Sequence, residues 1–440
     1  MKIKLPYGIH KTVALDIDED DLLYHHRAES VPHLTNEEIL KRTKRALDEP
    51  LGFVPLRYAL VPGDHVVIPV MPETPQVTLV LRGVLEYLLE MRESRPGKIT
   101  VLRAERDSWT LDGLEQQDER ISFVTLETDK AEQFAMLAVS ETDDPLMVAR
   151  LLFDADFVLP VGSFFPECSP GYFGIHSPIY PRFSNAETQK RYRSFPHDKQ
   201  KNKHAKRSPE AEIMERELDL VTRQLGVTLM LNVLPSVPAG TALEDWGEDW
   251  SEDDEASPES GETNQPEMAG MTGVADVAAG EYHELQRECY PRYRELWTLQ
   301  ERCLADMVIA TVHGGAEQQT WANVFRAAMS AASLAVERGT VVVCSDVTEP
   351  FPTVLEALRQ VRNVDQVLKH VQLPNVEDAA AALGFLQVLK NFRVAFLSSL
   401  DGERLEELGI LPLADADELN RLVESANSCV ILPNAHRVIL

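Results

Sequence analysis

The side chains of this 440-residue chain most able to do chemistry are a few carboxylates, one helix arginine and a small group of histidines. Glu167 stands beside Cys168 just after an apolar run, so its carboxylate could act as a general base, but a solvated loop carboxylate is the favoured reading. Cys168 is a candidate nucleophile, but no histidine lies at a fixed local spacing, which is the pattern of a buried thiol. His176 could join a metal site with His197 or His204, given three or four convergent ligands. Arg326 falls on a helical stretch, where a cation at a domain cleft suits a carboxylate or phosphate; a surface salt bridge is the competing reading. Glu73, Glu167 and Arg326 together would equip a metal-independent enzyme. Gly162, Gly171 and Gly174 read as backbone turns rather than a phosphate cradle, because no GxGxxG follows a strand.

Those residues sit between short apolar runs that alternate with helical ones. Lys2 to Leu5 and Thr12 to Ile17 read as a hairpin about Pro6-Tyr7-Gly8, and a helix starts at Asn36 and stops at Glu49-Pro50. Val66 to Val70, Ile99 to Leu102 and Phe157 to Val161 read as strands. Helices are expected over Val77 to Met91 and around Leu146 to Leu152. This alternation predicts βαβ units and a parallel sheet, with chemistry in the loops after Val70, Leu102 and Val161. A helix over Pro209 to Leu225 and a strand over Val227 to Leu234 follow. The later part repeats the theme: a strand over Met307 to Val312, a long helix over Gln318 to Glu337 and a strand over Thr340 to Cys344. Helices over Val354 to Val361, Ala379 to Leu389 and Ala414 to Ser425 flank a strand over Val394 to Leu397, and Cys429 to Leu432 is the last strand.

Composition sets the frame. With 44% hydrophobic and 26% charged residues the chain can bury sizeable cores, and its length predicts more than one domain. A formal charge of −28 opposes binding of nucleic acid by the whole surface. Five cysteines without CxxC spacing suit a reducing compartment. The absence of a signal-peptide core or of any run of about 18 apolar residues predicts a cytoplasmic protein without a membrane partner. The basic stretch from Asn185 to Arg207 reads as a solvated loop, and the acidic stretch 244–267, rich in Ser, Pro and Gly, as a disordered insertion.

Several strings, taken in order, resemble the nickel-pincer-nucleotide lactate racemase family over nearly the whole chain. They are Leu5-Pro6-Tyr7, Ala46 through Gly52, Gly162 through Pro181, His313-Gly314-Gly315 leading into Gln318-Gln319, and Cys429 through Asn434. The resemblance implies two Rossmann-like α/β domains with a cleft between them, residues 1–295 and 296–426, with the C-terminal strand in 427–440 returning to the first. It also implies a 2-hydroxyacid racemase or epimerase, an isomerase that uses a nickel pincer nucleotide to accept hydride while two histidines move the proton.

Position by position, the family's equipment is substituted. Ser177, preceded by His176, stands where the family's anchoring lysine would be, so covalent attachment of the nucleotide is not expected. Glu167 and Ser108 fall on the two catalytic histidines, and the nickel-ligand histidine is expected near Ser194, with His197 the nearest candidate. Glu73 keeps an acid, while Gln76 replaces the arginine that clamps the substrate. Trp321, Asn323 and Arg326 keep a polar pocket able to take a small carboxylate or other small anion. A binding or regulatory protein on the same fold is therefore the second reading, beside a diverged racemase and a metal-independent enzyme.

Overall fold

The computed structural model describes all residues except 10, 27–32, 105–106, 108–117, 168, 173, 194–208, 237–240, 243–272 and 371–378. Ser108, Cys168, Ser194, His197, His204 and the acidic stretch lie outside the described residues.

The first half is built on parallel strands in the spatial order Ile121–Leu126, Lys98–Ala104, His65–Pro69 and Phe157–Val158. A bridge between Val70 and Val161 continues this surface into Val161–Ser163, Met230–Pro235 and the antiparallel Val274–Gly280. Strand His65–Pro69 carries buried Val66, Val67 and Ile68 in succession, a pattern suited to a sheet covered on both faces. Helix Val77–Glu90 buries Val80, Leu81, Val84 and Leu85 at helical spacing and packs on helix Asn36–Asp48. Thr35 starts the latter helix with a capping box to Glu38.

The second half holds a six-stranded, all-parallel sheet in the order Ile410–Leu413, Arg393–Leu397, Ala335–Cys344, Ala305–Thr311, Cys429–Leu432 and Leu22–His25. The α/β expectation is met. The C-terminal strand, however, does not return to the first sheet: Cys429–Leu432 pairs with Ala305–Thr311. All four of its side chains are buried, which fits the interior of the second sheet. The N-terminal strand Leu22–His25 then closes its far edge. The expected hairpin forms from Lys2–Tyr7 and Lys11–Asp16, but Pro6 and Tyr7 belong to its first strand, paired with Thr12 and Lys11, so the turn follows Tyr7. Its Ile3, Leu5, Val13 and Leu15 share a core with Met307, Ile309, Val342 and Ile431, so the chain's beginning packs with its second half.

Three other expectations are corrected. Gln318 to Glu337 is not one helix but helix Trp321–Ala332 followed by strand Ala335–Cys344. Leu146 to Leu152 is strand Pro145–Ala149 plus a single turn, Arg150–Phe153, because Leu146 and Val148 bury at a spacing of two. Within the basic stretch, Ala186–Arg193 is helical, and Arg191 bonds Asp144 and the buried Glu217, both at 2.6 Å.

Candidate functional site at the junction of the two sheets

Each sheet has a point where the chain reverses its direction of travel, and ligands of such sheets bind beyond the strand ends at that point. In the second sheet it lies between Ala305–Thr311 and Cys429–Leu432, where the backbone amide of His313 donates to Asn434 Oδ1 at 2.6 Å. In the first it lies between His65–Pro69 and Val161–Ser163, joined by the amide of Met71 donating to the Val161 carbonyl. Loops from both points meet around Glu73 and Arg326.

Arg326 stands on helix Trp321–Ala332, which Thr320 caps by accepting from the Asn323 amide. Its Nη1 donates to Glu73 Oε1 at 2.6 Å and to Asn323 Oδ1 at 2.9 Å, and its Nε donates to the Pro170 carbonyl at 2.9 Å. The side chains of Arg326 and Glu73 are only 5% and 12% exposed, so a surface salt bridge is the wrong description. Three donations from one guanidinium to two segments of the first half and to its own helix make it a tie between the halves.

A second guanidinium arrives from the C-terminus. Arg437 donates to the carbonyls of Glu73 (3.0 Å) and Phe164 (3.1 Å) and to Gln318 Oε1 (3.0 Å), while Gln318 Nε2 also donates to the Glu73 carbonyl at 2.9 Å. It is the residues after the last strand, and not the strand, that return to the first half. Both arginines lie over the Phe165 ring, at 4.2 Å for Arg437 and 5.4 Å for Arg326, and that ring packs on Tyr172. Burial lowers Arg437 to about 10, which leaves it charged at neutral pH.

His436 completes the group. It is 2% exposed, and among the described residues neither ring nitrogen has a hydrogen-bond partner. Burial first, then the charges of Arg437 and Arg326, hold it well below the usual histidine range, so it is neutral. Glu317 borders the same group: burial raises its carboxyl, opposed by hydrogen bonds from its own amide and that of Gln76 and by Arg437.

Of the residues singled out in the sequence, Glu73, Asn323 and Arg326 come into direct contact. Gln76 enters through its backbone, in the left-handed region at φ 53° before helix Val77–Glu90. Trp321 turns to other partners: its amide and indole Nε1 donate to Glu349, and its ring packs on Phe325 and Phe351. Glu167 is exposed, with its amide on the Tyr290 hydroxyl at 3.3 Å. His176 and Ser177 form a separate cluster. The His176 ring stacks on Tyr282, with Nδ1 2.8 Å from Thr222 Oγ1 and Nε2 3.5 Å from Asp219. Ser177 Oγ donates to the Gly174 carbonyl at 2.8 Å.

These residues do not fit a covalently held nickel nucleotide. Ser177, the residue that the resemblance puts at the anchor, offers a hydroxyl already bonded to backbone, and His176 beside it is engaged by Thr222 and Tyr282. Among the described residues, no group of three or more His, Cys, Asp or Glu side chains is placed to hold a metal ion. Arg437 and His436 are the members of the site that sequence reasoning missed, while Gln318 was noted only within a string that carries the resemblance. The available signal was a His-Arg pair just beyond the final strand, at the carboxyl end where ligands of parallel sheets bind.

No family profile matches the sequence, and no curated protein does. Among solved structures, the chain is similar to the lactate racemase apoprotein from Thermoanaerobacterium thermosaccharolyticum. That likeness has 16% identity and a TM-score of 0.69, and covers 100% of this chain and 99% of that one. It is also similar to a Thermotoga maritima protein solved by structural genomics, at 14% identity and a TM-score of 0.58, covering 93% and 98% of the two chains. The geometry of two switch points brought face to face is thus set within a lactate racemase-like α/β fold.

Proposed function

We propose that this protein is a diverged relative of the lactate racemases that does not carry out ordinary nickel-dependent lactate racemisation and instead binds a small carboxylate or other small anion where its two sheets meet. The observation that carries this reading is the buried Arg326, which already holds a carboxylate, that of Glu73, between the two switch points. A planar guanidinium with Asn323 beside it is suited to that chemistry. The substituted anchor, Ser177, supports the loss of covalent cofactor, and Glu167 and Ser108 in place of two histidines support the loss of proton transfer. A missing general acid or base costs roughly 10²–10⁴-fold in rate, and two positions are substituted.

The test is expression together with a nickel-pincer maturation system, followed by nickel analysis, intact mass and D/L-lactate interconversion. The expected result is an unmodified mass and no racemisation. Stoichiometric nickel with a mass increase matching the nucleotide, or racemisation abolished by Glu167→Ala, would restore the enzyme. The binding half is tested by calorimetry with acetate and lactate. Arg326→Gln should abolish binding and Arg326→Lys, which keeps the charge, should weaken it less.

A further inference from the structure

We propose that Glu73 is a displaceable internal ligand: its carboxylate occupies Arg326 in the closed arrangement, and an incoming small carboxylate takes its place and frees the loop of residues 71–76 from the second half. This rests on the small-anion reading of the site.

Little of Glu73 is bound to its own half. Its carboxylate accepts from Arg326, and its carbonyl accepts from both Arg437 and Gln318, three interactions that all cross to the second half. By contrast, the loop is fixed within the first half by short local bonds, with the Thr74 hydroxyl and amide both on the Met71 carbonyl. A loop anchored this way can swing about its ends when its outward contacts are exchanged for others.

The second observation is His436. A buried imidazole with both nitrogens unpartnered among the described residues is a cost the closed arrangement leaves unpaid. It lies close enough to both arginines for their charges to depress its protonation, and its ring centroid is 6.3 Å from that of Phe165. A small anion or the water accompanying it, seated on the arginines after Glu73 withdraws, would give that ring a partner. Charge selects the ligand class. Glu73 and the ligand are both anions, so only one of them can occupy Arg326 without strong repulsion, and the exchange leaves the buried charge unchanged.

Such a device reduces apparent affinity by the fraction of molecules in which Glu73 has let go. Removing the Glu73 charge should therefore tighten binding, and in the wild type the ligand should also release the 71–76 loop, which a fixed carboxylate that merely repels the ligand would not allow. Calorimetry with acetate and lactate on the wild-type chain and Glu73→Gln is expected to show about 5- to 150-fold tighter binding in the variant. Equal or weaker binding by the variant, with the wild type binding, would overturn the latch and leave the anion site standing. Absence of binding by both proteins would overturn the anion site and the latch together. Should Glu73→Gln fail to fold, hydrogen exchange on the wild type decides. Saturating lactate should speed exchange of the 71–76 amides, and unchanged or slower exchange would overturn the proposal.

Discussion

At the scale of single residues, the arginine and the histidine of the junction make opposite demands on their surroundings. Arg326 needs its carboxylate. Arg326→Met would leave Glu73 buried without its counter-ion, which costs about 3–5 kcal/mol, and urea unfolding should show a loss of that size. The double variant with Glu73→Gln should recover much of it, because no charge is then stranded. His436 is held neutral, so its effect depends on pH. The unfolded imidazole takes up a proton near pH 6.5 while the folded one does not. Stability is therefore full above that pH and falls below it, by about 1.4 kcal/mol per unit for one such group. His26, lowered to about 4 by burial, adds the same slope between about 6.5 and 4. Urea titrations across that window should show His436→Phe reducing the slope by one proton; an unchanged slope would mean that His436 titrates normally in the folded protein. Arg326 was legible as a helix cation. That it is buried was not, because the carboxylate covering it is 253 positions away in the chain.

At the scale of elements, the N-terminal hairpin shows how a local signal can be read correctly and still be attached to the wrong place. The hairpin itself was plain from the sequence, but Pro6 and Tyr7 pair with Thr12 and Lys11, so the turn comes after Tyr7 and not at Pro6-Tyr7-Gly8. What holds it to the second sheet is the carboxylate of Asp346, which accepts from Lys11 Nζ at 2.7 Å and from the Ile9 amide at 3.3 Å. Gly8 has φ +59°, and a Cβ there would come within 2.2 Å of Asp346 Oδ2. Gly8→Ala would thus add left-handed backbone strain, about 1–3 kcal/mol, to a steric conflict with the anchor itself. A lower melting temperature and faster proteolysis within residues 1–17 are the expected results. The helix expected over Gln318 to Glu337 fails for a related reason. Helix-forming residues, Leu334, Ala335 and Glu337, continue past Ala332, but the edge of Ala305–Thr311 accepts Ala335–Cys344 as a parallel neighbour. Tertiary pairing outweighs a helix propensity that differs by only some tenths of a kcal/mol per residue.

At the scale of the whole molecule, Arg437 joins the chain's last residues to two loops of the first half, through the carbonyls of Glu73 and Phe164. Arg437→Met keeps most of the side-chain volume but leaves those acceptors short of a donor, at about 1–3 kcal/mol for each buried group left unsatisfied. The loss should be local to the junction. Hydrogen exchange is expected to quicken around residues 71–76 and 163–165 while helix Thr353–Val361 stays protected. Uniform acceleration across both regions would show instead that the variant lowers global stability alone.

Period and punctuation along the chain determined the alternation of strands and helices, the parallel sheets and the loops in which polar residues would collect, since each of these follows from neighbours a few positions apart. Two of those loops, after Val70 and Val161, do meet at the junction. Only the tertiary structure decided that the last strand belongs to the second sheet, that the first residues pack there too, and that Glu73 answers Arg326 while Arg437 and His436 stand beside them. The physical reason is that an edge strand's backbone and a buried arginine's charge are satisfied by whichever partner the fold delivers. Sequence separation says nothing about which partner that will be.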